Sequence, residues 1–159
     1  MRGKPVAVSA ISVVLALLLA GTGWGEPLLK KSLSLEDARK AAAAAAAEAK
    51  KNKWNVAIAV VDDGGHLVYF ERIDETQIAS ADIAIGKART AVRFKRPSKA
   101  LEDAIAGGRN ALLAIKDITP LEGGLPILID GKVAGGIGVS GVKSSEDAQV
   151  GKAGVDALK

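Results

Sequence analysis

The feature that most constrains the fold is a glycine-rich stretch near the C-terminus, residues 122–141, EGGLPILIDGKVAGGIGVSG. Two short apolar runs, 125–129 and 133–139, are joined there by Asp130-Gly131-Lys132. Because Asp and Gly both tolerate positive φ, this pattern predicts a β-hairpin. We expect its glycines to open backbone N–H groups at the surface. A helix starting near Ser144 would add further free amides, so we expect a small-ligand site beside this hairpin.

The first 25 residues have the pattern of a secretory signal peptide. A basic start precedes a largely apolar run of 15 residues at 6–20, and Gly23-Trp24-Gly25 then places small residues at the −3 and −1 positions of a cleavage site. A retained membrane anchor would need roughly 17–25 apolar residues. The sequence therefore predicts a signal peptide at 1–25, a single domain at 26–159, a periplasmic or secreted location, and no stable membrane insertion.

The composition excludes several function classes. Outside the first 25 residues, 20 of the 22 Lys and Arg residues face 18 acidic ones without forming a basic cluster, which excludes a nucleic-acid-binding protein. The chain has no cysteine and one histidine, so one chain cannot build a zinc site from several nitrogen and sulfur ligands. Without disulfides, stability must come from packing or from oligomerisation.

The remaining patterns predict the element order α-β-β-α-α-β-β-α. Ser34 and Asp37 form a predicted capping box for a helix that runs through an alanine tract to about residue 52. Apolar and alternating runs predict strands at 56–61 and 66–73. Ser98, after Pro97, is the predicted cap of a short helix. Two hairpins separated by helices predict an α+β fold with helices packed on an antiparallel sheet. Helical patterns recur at 79–94, 98–106, 110–116 and 145–158.

Two glycine motifs match enzyme signatures only in form. The run Gly136 to Gly141 fits G-x-G-x-x-G, but only 18 residues follow it, which leaves no room for the further strand and acidic residue of a dinucleotide site. Ser140 lacks the second glycine of a nucleophile elbow, since position 142 is valine, and a Ser-His-Asp hydrolase would depend on His66 alone. We interpret Ser140 as a turn or cap residue.

Charged residues cluster around the first predicted hairpin. Its carboxylates, among them Asp62 and Asp74, could ligate a hard cation, but their spacing matches no calcium loop and a solvated rim is the usual role. Arg72 and Lys87 could clamp an anionic ligand, with surface ion pairs as the alternative. His66 is either an exposed turn residue or an axial ligand of a haem iron.

Longer blocks of the sequence together resemble one protein family. VAIAVVDDGGHLVYFERID, AIGKARTAVRF, EGGLPILIDGKVAGGIGVSG and EDAQVGKAG follow one another in this order. Over about residues 33–159 the chain thereby resembles the GlcG/HbpS family of haem-binding, haem-degrading-type proteins, which is similar to the C-terminal domain of PduO-type proteins. The resemblance implies a profilin-like fold, in which helices pack on both sides of a central antiparallel sheet of two hairpins. It also implies homo-oligomers, up to octamers.

The resemblance implies a function as well. The expected protein binds haem as a cofactor, or a small acidic molecule, outside the cytoplasm, and it takes part in haem degradation or iron sequestration. Two alternatives stay open. One is an enzyme or accessory protein for a small glycolate-type acid, with Arg72 and Lys87 holding a carboxylate; the other is a ligand-independent partner of a sensor. No catalytic residue is predicted, and His66 is the predicted haem ligand. The predicted ligand-binding residues are Arg72, Asp74, Lys87, Gly123, Gly124, Gly138, Ser140 and Gly141.

Overall fold

The computed structural model describes residue 3 and residues 25–159, so the predicted signal peptide lies almost entirely outside the described residues. No helix in the described part is both long and apolar enough to cross a membrane. The predicted element order is confirmed. In chain order the elements are α1 (Leu35–Asn52), β1 (Ala57–Asp62), β2 (Leu67–Arg72), α2 (Ser80–Phe94), α3 (Lys99–Ala106), a 3-10 turn (Asn110–Ala114), β3 (Gly124–Ile129), β4 (Lys132–Ser140) and α4 (Ser144–Asp156).

The four strands form one antiparallel sheet in the order β2-β1-β4-β3. Because side chains alternate along a strand, β1 turns Ile58 and Val60 towards one face and Ala57 and Ala59 towards the other. The first face packs against α1 and α4, and the second packs against α2. The predicted α+β fold, with two hairpins and helices on both sides of the sheet, is confirmed.

Helix α1 begins where the sequence predicts. The Ser34 hydroxyl accepts from the amide of Asp37 at 3.1 Å, and the amide of Ser34 donates to the Asp37 carboxylate at 3.2 Å. One side of the alanine tract is fully buried. Small side chains let the helix lie close to the sheet, as the alanine tract indicated.

The glycines of the second hairpin serve packing, not exposure. A Cβ at Gly138 would overlap the carbonyl oxygen of Ala84, and a Cβ at Gly124 would overlap that of Lys87. Helix α2 therefore lies against β3 and β4 at a distance that only glycine permits. The expectation that these glycines open amides at the surface is wrong, because five of them are buried: Gly123, Gly124, Gly135, Gly136 and Gly138.

Ser98 is the N-cap residue of α3, as the sequence predicts, but its side chain does not act as the cap. Its side chain makes no capping bond to the helix. Instead, its hydroxyl accepts from the amide of Gly124 at 2.9 Å and donates to the carbonyl of Leu121, and its own amide donates to the Gly124 carbonyl at 2.9 Å. Ser98 thus satisfies both outward peptide groups of Gly124, and Pro126 further along β3 has no N–H to offer. The β3 edge of the sheet is closed in this way.

Candidate functional site

Lys87, a predicted ligand-binding residue, lies in a buried ion pair. Its ammonium group donates to Asp147 Oδ2 at 2.8 Å and to the carbonyl of Val139 at 2.9 Å, and its side chain is 2% exposed. Arg72, in contrast, is exposed at the end of β2. The structure therefore does not bring Lys87 and Arg72 together as a clamp for an external anion. The ion pair instead fastens α2 to the first turn of α4.

The start of α4 offers fewer free amides than the sequence indicated. Asp147 Oδ1 accepts from the amide of Val142 at 3.2 Å, and the amide of Lys143 donates to the Glu146 carboxylate at 3.1 Å. Lys143, not a serine, is the N-cap residue. Burial raises the pKa of Asp147, and this desolvation outweighs the hydrogen bonds from Lys87 and Val142 and the charge of Lys87. The predicted ring of free amides is therefore wrong at these two positions.

The other predicted ligand-binding residues of the second hairpin are also packed. Gly123, Gly124, Gly138 and Ser140 are buried and Gly141 is half-buried. The Ser140 hydroxyl lies 3.4 Å from the hydroxyl of Ser80 at the start of α2. In one protomer these groups belong to contacts between helix and sheet. Ligand binding by these five residues stays a prediction.

The turn of the first hairpin holds the histidine in a defined setting. Asp62 Oδ1 accepts from the amides of Gly64 at 2.9 Å and His66 at 2.8 Å, and it lies 3.3 Å from His66 Nδ1. Burial would raise the pKa of Asp62, but the two amide bonds and the nearby imidazole outweigh it and lower that pKa. The His66 side chain is 83% exposed. Its Nδ1 thus faces a carboxylate, which leaves Nε2 as the nitrogen available to a ligand.

Two arginines of α2 continue this site. Arg89 Nε donates to the carbonyl of Gly65 at 3.1 Å, which joins α2 to the turn that carries His66. Arg93 Nη1 donates to the carbonyl of Asp117 at 3.1 Å. Both side chains, with Ile85 and two acidic residues, Asp82 and Asp117, line a surface depression of about 460 Å³. Sequence reasoning did not single out Arg93, although its i, i+4 spacing from Arg89 is a signal that they share a helix face.

An apolar strip lies between these groups and the end of β2. Helix α2 packs mainly over β1, β3 and β4, so β2 lies at its margin. Phe70 and Ile85 are partly buried against the alanines of β1 and α2, and Leu67 is 45% exposed. Arg72 pairs with Ala57 and so lies on the same face of the sheet as Phe70. We call Leu67, Phe70, Arg72 and Ile85 the open strip.

The carboxylates of the first hairpin do not gather into a metal site. In the part of the chain that the structure describes, no three or more His, Asp or Glu side chains lie close enough to hold a metal ion. Asp74 lies exposed in the loop after β2. Asp74 and Glu75 are solvated, the role that the sequence favoured, whereas Asp62 is held by the amides of the turn. The open strip, bordered by guanidinium groups and one imidazole, suits an apolar ligand that carries carboxylates at its edge.

Comparison with protein families and with curated relatives gives consistent matches. The family model described as "Haem degrading protein HbpS-like" matches residues 33–156. Protein GlcG of Escherichia coli strain K12 is 43% identical over 111 residues, which cover 70% of this chain and 83% of GlcG. The matched family region contains all the helices and strands described above.

Solved structures give the same result. A crystal structure of HbpS superposes with a TM-score of 0.79 at 35% identity, covering 85% of this chain and 96% of that one. A structure described as a PduOC:Heme complex superposes with a TM-score of 0.73 at 25% identity, covering 79% of this chain and 94% of that one. These proteins share the sheet and the helices that position the open strip.

Proposed function

Since this chain belongs to the HbpS-like family of haem-degrading-type proteins, we propose that it binds haem against the open strip, with His66 as an axial ligand. One structural relative is a complex with haem, which supports the choice of ligand. Bound haem would supply the iron chemistry, and the residues of this chain would hold and orient the group.

The arrangement of Asp62 and His66 carries this proposal. A histidine that ligates a metal usually donates its other ring N–H to a carboxylate or carbonyl, which fixes the tautomer and the ring orientation. In this chain Asp62 Oδ1 lies 3.3 Å from His66 Nδ1, and the same oxygen is held by two backbone amides. The carboxylate is therefore fixed before any ligand arrives. His66 Nε2 is left on the exposed side of the ring, where an iron atom could reach it.

The open strip fits the rest of the haem group in part. Haem is a flat apolar ring with two carboxylates, so it needs apolar walls and cations. Leu67, Phe70 and Ile85 supply one apolar wall. Arg89 uses Nε on the Gly65 carbonyl, so its remaining N–H groups can meet a carboxylate. Within residues 25–159, one protomer provides this single wall, and we therefore propose a homo-oligomer in which a second copy provides the other.

We further propose that this binding takes place outside the cytoplasm and serves haem degradation or iron sequestration. The signal-peptide pattern of the first 25 residues supports the location. The mass of the exported protein tests it, because cleavage before Glu26 removes those residues. The alternative of a small-acid enzyme has less support, because the Lys87 ammonium that would hold the acid is buried against Asp147.

Titration of ferric haem into protein purified without haem tests the proposal. We expect the Soret band to shift to longer wavelength and to saturate. His66→Ala should lose that shift. Asp62→Asn should weaken haem binding by about 10–100-fold, because Asp62 orients the His66 imidazole and does not contact the iron itself. Lys152→Ala is the control, since Lys152 is an exposed cation of α4 on the opposite face of the sheet.

Two results would contradict the proposal. A wild-type protein whose Soret band stays that of free haem does not bind haem. An unchanged Soret band and affinity in His66→Ala would mean that His66 is not the ligand.

A further inference from the structure

The two edges of the sheet differ in their free backbone groups. Ser98 and Pro126 close the β3 edge, as described above. After β2, the amide of Ile73 donates to the carbonyl of Val56 at 3.0 Å. This bond and the pairing of β1 with β2 determine which residues of β2 direct their peptide groups towards β1. Peptide groups alternate along an antiparallel ladder, so those of Phe70 and Arg72 point away from β1. Within residues 25–159 these outward groups have no hydrogen-bond partner.

We propose that β2 pairs in the antiparallel direction with β2 of a second copy of this chain. In this register Phe70 of one chain lies directly opposite Phe70 of the other. Only outward-facing residues can pair across such an edge, which limits the possible registers. If Glu71 lay opposite Glu71 of the second copy, two carboxylates would face each other. If Arg72 lay opposite Arg72, two guanidinium groups would face each other. Both arrangements are destabilising. If Tyr69 lay opposite Tyr69 of the second copy, the carboxylate of Glu71 would lie opposite the apolar side chain of Leu67, which offers it no partner.

The register centred on Phe70 instead matches complementary groups. It opposes the two Phe70 rings, and aromatic pairs directly across a ladder are favourable. It also places Tyr69 of each chain opposite Glu71 of the other, a pair that already hydrogen-bonds within one strand at 3.0 Å. A strand whose residues complement themselves about a two-fold axis fits a second copy better than an unrelated partner.

This pairing would have a consequence for the ligand site. An axis perpendicular to the sheet keeps the same face of both sheets on the same side, so the two open strips would lie next to each other. The two β2 strands would form the floor of one groove, and α2 of the second copy would supply the second wall that the proposed haem site lacks. That consequence rests on the proposed function, whereas the pairing itself rests only on the sheet.

Removing one outward amide tests the pairing. Arg72→Pro deletes an N–H that points away from β1, so the β1–β2 ladder keeps its hydrogen bonds. We expect the mass of the assembly in native mass spectrometry to fall by half or more. Arg72→Ala is the matched control, because it removes the charge and keeps the amide, and it should leave the mass unchanged. An unchanged mass in Arg72→Pro, with native circular dichroism, would overturn the pairing.

A cross-link provides a second test that does not depend on Arg72. The chain has no cysteine, so Phe70→Cys introduces a single thiol. Opposed residues of a hydrogen-bonded pair have Cα atoms about 5.5 Å apart, which a disulfide can bridge. We expect mild oxidation to give a covalent dimer. Leu128→Cys, on the β3 strand at the other edge of the sheet and 51% exposed, should give none under the same conditions.

Equal cross-linking of both variants would overturn the proposal. Rapid hydrogen exchange of the Phe70 and Arg72 amides in the wild-type assembly would also overturn it, because it would show that the β2 edge is not paired. If Phe70→Cys does not fold, Arg72→Pro and the exchange measurement decide. All three measurements are made without haem. Failure of the pairing is therefore distinguishable from failure of haem binding.

Discussion

The two hairpins of the sheet differ both in their turns and in their surroundings. The second turns through Asp130 and Gly131 at positive φ of 50° and 72°, as a tight hairpin requires. Helix α2 covers its strands, and Ser98 closes its edge. The first hairpin ends in an exposed imidazole, and its β2 edge is open. The hairpin with the most glycines and the clearest turn sequence is thus the more closely packed one. The exposed groups that we propose for ligand binding lie on the first hairpin, whose sequence has fewer glycines.

The largest expected effect concerns the ion pair that fastens the second hairpin. Lys87→Ala leaves the buried carboxylate of Asp147 without its partner, and breaking a buried pair costs about 3–5 kcal/mol of the free energy of unfolding. Urea denaturation measures this loss. Replacing both partners together, as Lys87→Met with Asp147→Leu, should recover most of the stability, because no charge then stays buried.

Lys152→Ala is the matched control for that measurement. Lys152 pairs with Asp156 on the surface of α4, where an ion pair contributes about 0–1 kcal/mol. If Lys87→Ala costs no more than Lys152→Ala, the second hairpin does not depend on the buried pair, and the contrast between the two hairpins loses its main support.

A smaller effect is expected from the close approach of α2 to β4. Gly138→Ala would place a Cβ over the Ala84 carbonyl, and such overpacking costs about 1–3 kcal/mol. Gly151→Ala on α4 is the control, because its Cβ would meet only ordinary contacts at 3.5 Å or more. That change should raise the free energy of unfolding by about 0.5–1 kcal/mol, since alanine favours a helix over glycine. Similar losses in both variants would argue against a special contact at Gly138.

The sequence predicts most of the fold because the signals that specify it are local. The Ser34 and Asp37 capping box lies within one helical turn, and the Asp130-Gly131 turn depends on two residues. Alternation along the strands then separates the two faces of the sheet. Each of these patterns can be read within a few residues, and each corresponds to an observed element.

The burial of the predicted ligand-binding residues Lys87 and Gly124 is harder to predict, because their contacts join distant parts of the chain. Asp147 follows Lys87 by 60 positions, and Gly124 follows Ser98 by 26. No local pattern indicates which lysine will be buried or which serine will close a sheet edge. Glycine adds a second difficulty, because the absence of a Cβ serves an exposed loop and a close helix contact equally well.

The smallest expected effect compares two carboxylates whose pKa values move in opposite directions from an ordinary value of 3.8. Asp62, on the first hairpin, has a lowered pKa, so the stability it contributes is present above pH 3.8 and is lost as the pH falls through the folded-state pKa. Asp147 has a raised pKa, so its contribution is fully present below pH 3.8 and is lost as the pH rises through the folded-state value.

Urea denaturation from about pH 3 to about pH 7 separates these two slopes. The stability of the wild type relative to Asp62→Asn should increase with rising pH up to about 3.8 and then level off. Relative to Asp147→Asn it should decrease as the pH rises above 3.8. Slopes of the same sign would mean that Asp147 is not desolvated as its burial indicates, and that the second hairpin is more open to water than its packing implies.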